Sequence, residues 1–294
     1  MIGEPTEHQF QASGVRLAYF EWNADAGPDA PTVLLVHATG FHARCWDKTV
    51  AALPEGLRVI AVDVRGHGRS ENTGKIADWH VPAQDLVELV EGLDLRAIIG
   101  VGHSMGGHSV TQVAARLPER FTRLVLADPV MMDPNHYTPG AFNDRGRPED
   151  FPVAKRRNHW TSWQEMFERF KDRHPYSLWR KDVLEDYCRH GLALREDGDG
   201  YELACPPVIE SSIYVTSAGT DIYDMVRSID IPVTVLRAKM RDFSKAAVMD
   251  FAASPTWEGL AAEFKDGTDV YLPELSHFIP MQDPELVARY IAGE

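Results

Sequence analysis

A serine hydroxyl is a poor nucleophile near neutral pH. It becomes a competent one when a base sits within hydrogen-bond reach and an acid orients that base. The chain holds a serine placed for such activation, Ser104, in Gly102-His103-Ser104-Met105-Gly106-Gly107. The run before it, Ala97-Ile98-Ile99-Gly100-Val101, is too short for a helix and rich in branched residues, as buried strands are. After it, Val110, Val113, Ala114 and Leu117 recur at helical spacing. Ser104 thus falls on a tight strand-to-helix turn, where its backbone is strained and where Gly102 and Gly106, lacking a Cβ, let the neighbouring chain pass close by. Free amides and the helix dipole at that point favour a developing oxyanion. The competing readings are a glycine-rich turn without chemistry and a phosphate-binding loop, but no Gly-Lys-Ser/Thr ending is present.

The base that suits Ser104 is His277, in the loop Leu272-Pro273-Glu274-Leu275-Ser276-His277-Phe278-Ile279-Pro280 before the last helix. An imidazole titrates in the range that proton shuttling needs. The favoured acid is Asp242, which follows a strand at 232–236 in Arg237-Ala238-Lys239-Met240-Arg241-Asp242. Asp128, ending the strand at 123–127, is the alternative acid, although an aspartate there can simply cap the following turn. Asp250 comes third. An oxyanion hole needs two backbone N–H donors. Met105, directly after the serine, supplies one, and the loop His37-Ala38-Thr39-Gly40-Phe41 supplies the other, with Thr39 the expected donor. His37 reads as a turn-stabilising residue, and His67 lies in the tight turn Asp63–Ser70. No His-Glu-x-x-His pair exists, so neither a metal nor a cofactor is expected.

These residues must be positioned by strands that alternate with helices. Residues 8–23 alternate as an opening antiparallel pair. Buried strands follow at 32–36, 58–62 and 97–101, and further strands at 123–127, 232–236 and 269–272. Amphipathic helices are expected around Trp46–Leu53, at Val81–Leu93 and at Pro284–Ile291. The pattern predicts an α/β protein with a doubly wound, mostly parallel sheet of about eight strands, whose ligands bind beyond the carboxyl ends of the strands. The alternation stops over 129–230. That block carries helical aromatic stretches at Trp160–Phe170 and Leu178–Leu192 and reads as an inserted, mainly helical cap between core segments 1–128 and 231–294. Phe41, His103, Trp160, Trp163 and Trp179 are the candidate substrate-binding residues, with simple packing of cap on core as their plainer role.

The chain has 294 residues, 44% of them hydrophobic, and a net charge of −14. That balance argues against nucleic acid or an anionic membrane as partner, and disfavours strongly anionic substrates unless a local arginine such as Arg156 or Arg157 intervenes. Three scattered cysteines give no disulfide framework or metal spacing. The N-terminus shows no basic start or apolar targeting core, and no apolar stretch reaches 18 residues. A soluble cytoplasmic protein with a small-molecule acyl substrate is expected, and its oligomeric state is left open.

Taken together, the loop His37–Phe41, the turn Asp63–Ser70, the Gly-His-Ser-Met-Gly-Gly elbow at 102–107, the strand-end Arg237–Asp242 and the loop 276–280 resemble the α/β-hydrolase-fold superfamily, in its serine-nucleophile, esterase-like branch. The resemblance spans roughly 190 residues. Two positions depart from the family pattern: Ala38 stands where a glycine usually follows the oxyanion-strand histidine, and Ala238 where a glycine is expected before the acid. The resemblance implies carboxylic ester hydrolysis through an acyl-enzyme, because a serine at the elbow attacks carbonyl carbon. Lactone opening, carbon–carbon cleavage, amide hydrolysis and perhydrolysis use the same residues and remain alternatives, as does a non-catalytic hydrolase-like binding protein.

Overall fold

The computed structural model describes residues 3–27, 30–137, 146–216, 220–240 and 250–294. The chain opens with an antiparallel pair, β1 (Thr6–Ala12) and β2 (Val15–Trp22), then runs through β3 (Thr32–Val36), α1 (Asp47–Ala51), β4 (Arg58–Val62), α2 (His80–Gly92), β5 (Ile98–His103), α3 (Met105–Arg116) and β6 (Phe121–Ala127). After an interruption it resumes with β10 (Val233–Ala238), α8 (Leu260–Glu263), β11 (Gly267–Leu272), α9 (Ile279–Gln282) and α10 (Pro284–Ala292). One sheet of eight strands results, in the order β1-β2-β4-β3-β5-β6-β10-β11. β2 pairs antiparallel with β4, and every pair from β4 to β11 is parallel.

The period-two geometry of a strand sorts its residues between two faces. In β3, Leu34 and Val36 join a core with α2 and α3, whereas Val33 and Leu35 join one with α1 and α10. β4 splits in the same way, Ile60 and Val62 against Val59 and Ala61. Both faces are therefore covered by helices, which explains why these strands read as unbroken apolar runs.

The interruption contains β7 (His159–Trp160), α4 (Trp163–Phe170), α5 (Lys181–His190), β8 (Leu192–Leu194), β9 (Tyr201–Leu203), α6 (Pro207–Thr216) and α7 (Tyr223–Ser228). The three short strands form their own antiparallel sheet, β7-β9-β8. The helical stretch expected at Trp160–Phe170 begins only at Trp163. Ser162 caps it by accepting the Glu165 N–H at 3.1 Å, while the Glu165 carboxylate reaches back to the Thr161 N–H. The stretch expected at Leu178–Leu192 shortens to α5, and Leu192 enters β8.

Packing divides this block. Trp160, Phe170, Trp179 and Tyr187 share a cluster with Phe41 and Phe278 of the strand-end loops. Ile209, Ile213, Ile222 and Val226 instead join the core on the α3 face of the large sheet. Among the described residues, no helix is long and apolar enough to cross a membrane.

Candidate active site

Ser104 sits between β5 and α3 with φ 57° and ψ −119°, a conformation that costs strain for any residue with a Cβ. Close packing holds it there. A Cβ on Gly102 would run into the Gly106 carbonyl, and one on Gly106 into the carbonyls of Val36 and His37. The Ser104 N–H is fixed by the Ala127 carbonyl of the neighbouring strand at 3.1 Å.

That hydrogen bond also brings the end of the neighbouring strand beside the serine. β5 and β6 run parallel with His103 opposite Ala127, so Ser104 and Asp128 leave adjacent strands side by side. His277 bridges them. Its Nδ1 lies 2.6 Å from Asp128 Oδ2, and its Nε2 lies 3.0 Å from Ser104 Oγ. The carboxylate can only accept, so Nδ1 carries the proton and Nε2 presents a lone pair to the serine hydroxyl. Asp128 is fully buried, and its Oδ1 accepts the Ala238 N–H at 2.8 Å and the Ser254 hydroxyl at 2.6 Å. A buried carboxylate needs such donors.

Asp242, the acid favoured from sequence, lies outside the described residues. His277 Nδ1 is paired with Asp128, the alternative acid. β6, whose end carries Asp128, neighbours the serine strand, and the end of β10 also reaches Asp128 through the Ala238 N–H. Asp250 pairs instead with exposed His174 at 3.3 Å.

Two histidines shape the loop opposite the elbow. His37 accepts the Val64 N–H through Nε2 at 3.0 Å and donates from Nδ1 to the Ala38 carbonyl at 2.8 Å. His67 accepts the Gly40 N–H at 3.0 Å and donates to the Arg65 carbonyl at 2.9 Å. Burial holds His37 far below the ordinary imidazole range and His67 down at about 4, so both stay neutral and keep these bonds. The Phe41 N–H is taken by the Ala38 carbonyl. Gly40 and Phe41 are therefore committed as donors. The amides of Thr39 and Met105 have no partner among the described residues, the condition an oxyanion donor must meet.

The candidate substrate-binding residues separate in space. His103 lies beside the relay: its Nε2 donates to the His277 carbonyl at 2.8 Å, and burial pushes its pKa down to about 3. Phe41 stands 5.9 Å from the His103 ring and 5.4 Å from Trp179, which in turn lies 5.1 Å from Phe278. Trp160 is a layer behind, edge-on to Phe170 at 5.4 Å. Trp163 faces outward under Arg189, beside Arg69, Leu194 and Tyr201. The structure thus brings Phe41, His103 and Trp179 to the relay and leaves Trp163 away from it. Sequence reasoning passed over Phe278 and Tyr187, which complete the aromatic wall. Phe278 carried a usable signal, its place directly after His277.

The profile of the alpha/beta hydrolase family matches residues 33–290, and the chain belongs to this family. It is 38% identical over 122 residues to the non-heme chloroperoxidase of Streptomyces lividans, covering 40% of this chain and 43% of that protein. It is 38% identical over 107 residues to the bifunctional esterase/perhydrolase of Acinetobacter calcoaceticus, covering 36% and 37%. The chain thus spans about two fifths of the length of these curated relatives. Among solved structures, E-2-(acetamidomethylene)succinate hydrolase superposes with a TM-score of 0.72 over 98% of both chains at 18% identity, a likeness of fold.

Proposed function

We propose that the protein is a serine hydrolase that cleaves a carboxylic ester of a small or medium hydrophobic acyl compound. The observation that carries this reading is the relay from Asp128 through His277 to Ser104, at 2.6 and 3.0 Å. In the proposed course, Ser104 Oγ attacks the carbonyl carbon and passes its proton to His277 Nε2. Asp128 steadies the imidazolium, and the amides of Met105 and Thr39 receive the oxyanion. The imidazolium then protonates the departing alcohol. A water that gives its proton to Nε2 attacks the acyl-enzyme, releasing the acid and restoring Ser104.

The aromatic wall of Phe41, Trp179 and Phe278, drawn partly from the proposed cap at 129–230, would exclude water above the reacting atoms. The same reading puts the enzyme in the cytoplasm, where buried Cys45, Cys188 and Cys205 stay as free thiols. Covalent labelling of Ser104 by a fluorophosphonate, alongside kcat/KM for p-nitrophenyl esters of increasing acyl length, tests the proposal. Unlabelled Ser104 together with no turnover would remove it.

One relative favours a second reaction at the same site. The Acinetobacter protein is a bifunctional esterase/perhydrolase, and an acyl-enzyme attacked by hydrogen peroxide in place of water yields a peracid and free serine. Peracid formation on adding peroxide to the ester assay distinguishes the two.

A further inference from the structure

The loop that carries the Thr39 amide is gripped from its far side by residues of the segment between β6 and β10. Gly40 stands at φ 80°, and a Cβ built on it would lie 2.5 Å from Glu210 Oε1 and 2.7 Å from Glu210 Cδ. The carboxylate of Glu210, in the first turn of α6, therefore rests directly against the Gly40 backbone. That side chain is only 7% exposed. Its other oxygen, Oε2, accepts from Arg156 Nη1 at 2.6 Å, and Arg156 Nη2 donates to the Tyr187 hydroxyl at 3.2 Å.

Tyr187, in α5, holds the same loop a second time. Its carbonyl accepts from His42 Nε2 at 3.1 Å, and its ring lies 5.3 Å from Phe41 and 5.9 Å from the His42 ring. Burial pushes His42 down to about 3, so the imidazole stays neutral and keeps that bond. The crevice between Gly40, Phe41, His42, Arg156 and Tyr187 encloses about 10 Å³, at the lower limit for one water. It is a packed joint rather than a ligand site.

A carboxylate and a guanidinium are costly to desolvate in such a joint. Apolar residues of similar volume often fill one at no loss of stability, so stability does not explain the pair. What the pair supplies is direction. Unpaired, the Glu210 carboxylate would turn toward water; held by Arg156, it stays behind Gly40. The loop's own hydrogen bonds do not reach that side, since the Gly40 N–H goes to His67 and the Phe41 N–H to the Ala38 carbonyl. Thr39 lies between two packed points. Gly106 of the elbow abuts the Val36 and His37 carbonyls on one side of it, and Glu210 abuts Gly40 on the other. A displacement of Gly40 reaches Thr39 through a single peptide bond.

We infer that Glu210 and Arg156 are positioning residues for the hydrolysis: their ion pair braces Gly40 and so keeps the Thr39 amide aimed at the oxyanion. The inference rests on Ser104 acting as the acyl acceptor, with Thr39 and Met105 as the oxyanion donors. It also gives Arg156 a role other than drawing in an anionic substrate, because Glu210 already neutralises it.

Two measurements test it, both on Arg156→Met/Glu210→Gln, which removes the two charges together and leaves neither one orphaned. The first compares kcat and KM for p-nitrophenyl butyrate with the inhibition constant of a trifluoromethyl ketone of similar length, whose carbonyl forms an oxyanion adduct with Ser104. kcat is expected to fall by about 10²-fold with KM within about twofold, since a misplaced donor is felt only where charge develops. Ketone affinity should fall by the same factor as kcat/KM. Arg156→Lys, which keeps a cation beside Glu210, should retain more of kcat than the double variant. Unchanged kinetics, a loss carried wholly by KM, or a fall in kcat with undiminished ketone affinity overturns the inference.

The second measurement needs no turnover. In Ser104→Ala protein, hydrogen exchange of the Gly40 and Phe41 amides is read in a peptide covering 37–42, with and without the double substitution. Exchange there should quicken by about tenfold or more while a peptide covering β5 keeps its protection. Equal exchange at 37–42, or the same quickening in β5, overturns the brace. Absent turnover and absent fluorophosphonate labelling in the wild type would count against Ser104 alone, because the exchange still judges Glu210 and Arg156.

Discussion

The Ser104–His277–Asp128 relay and the walls around it are held by different forces. Ser104 and Asp128 are fixed by backbone: adjacent parallel strands in register, each residue at positive φ (57° and 46°), with a buried carboxylate saturated by donors. The aromatic and arginine layer above is held by ring contacts and by ion pairs that are partly exposed. Such pairs contribute little each, about 0–1 kcal/mol. The contrast teaches where change is tolerated. The relay is tied to strand register, which a shift of one strand would unmake, whereas the wall depends on side-chain packing that point substitutions can alter without moving the sheet.

The largest expected effect is at the backbone-fixed end. Ser104→Ala should lower ester hydrolysis by about 10³-fold or more, because members of such a relay act as a unit. Its thermal unfolding should match the wild type, the turn being a property of the backbone. Substantial residual turnover in an esterase-free preparation would break the assignment.

Next comes the acid. Asp128→Asn should cost about 10²- to 10⁴-fold in kcat, since an amide no longer fixes the imidazole tautomer or steadies its charge. Asp242→Asn should cost far less under the same assay. The reverse order would move the acid to the strand-end loop that the sequence alone favours.

The aromatic layer sharpens the comparison at smaller magnitude. Trp179→Ala should reduce kcat/KM for longer acyl esters by about tenfold, the scale set by a few methylene contacts. Trp163→Ala, on the outward face under Arg189, should leave the chain-length profile within about twofold, well below that scale. A flat profile for both would detach the wall from substrate selection.

The smallest effect is on stability and pH. Burial holds His67 at about 4 against an ordinary 6.5, so the unfolded chain takes up a proton that the folded protein refuses. Its contribution is whole above pH 6.5 and is lost as pH falls toward 4, at no more than about 1.4 kcal/mol per pH unit. Urea unfolding of His67→Gln across that window should show a shallower decline than the wild type. An equal slope would mean that the Gly40 loop is not held by a neutral imidazole.

Much of this was legible in the chain. The strands at 32–36, 58–62 and 97–101 announced themselves as apolar runs because both of their faces are buried. Ser104 was legible because its strain has a compositional signature, glycines at 102 and 106 where neighbouring backbone passes. His277 was legible from its loop before the last helix. The separation of Trp163 from Trp179 was not, since both lie in aromatic helical sequence and only the turn of each element decides which ring faces Phe41.

The sequence by itself determined local matters: which segments are strands, where the chain turns at the serine, and that a serine, a histidine and a strand-end aspartate were available. Tertiary structure decided which aspartate meets the histidine. Strand order is set by long-range pairing, and it places β6, whose end carries Asp128, beside the serine strand. It likewise set Glu210 and Arg156 against Gly40. Their convergence depends on how the segment between β6 and β10 folds back onto the strand ends, which no local pattern of residues encodes.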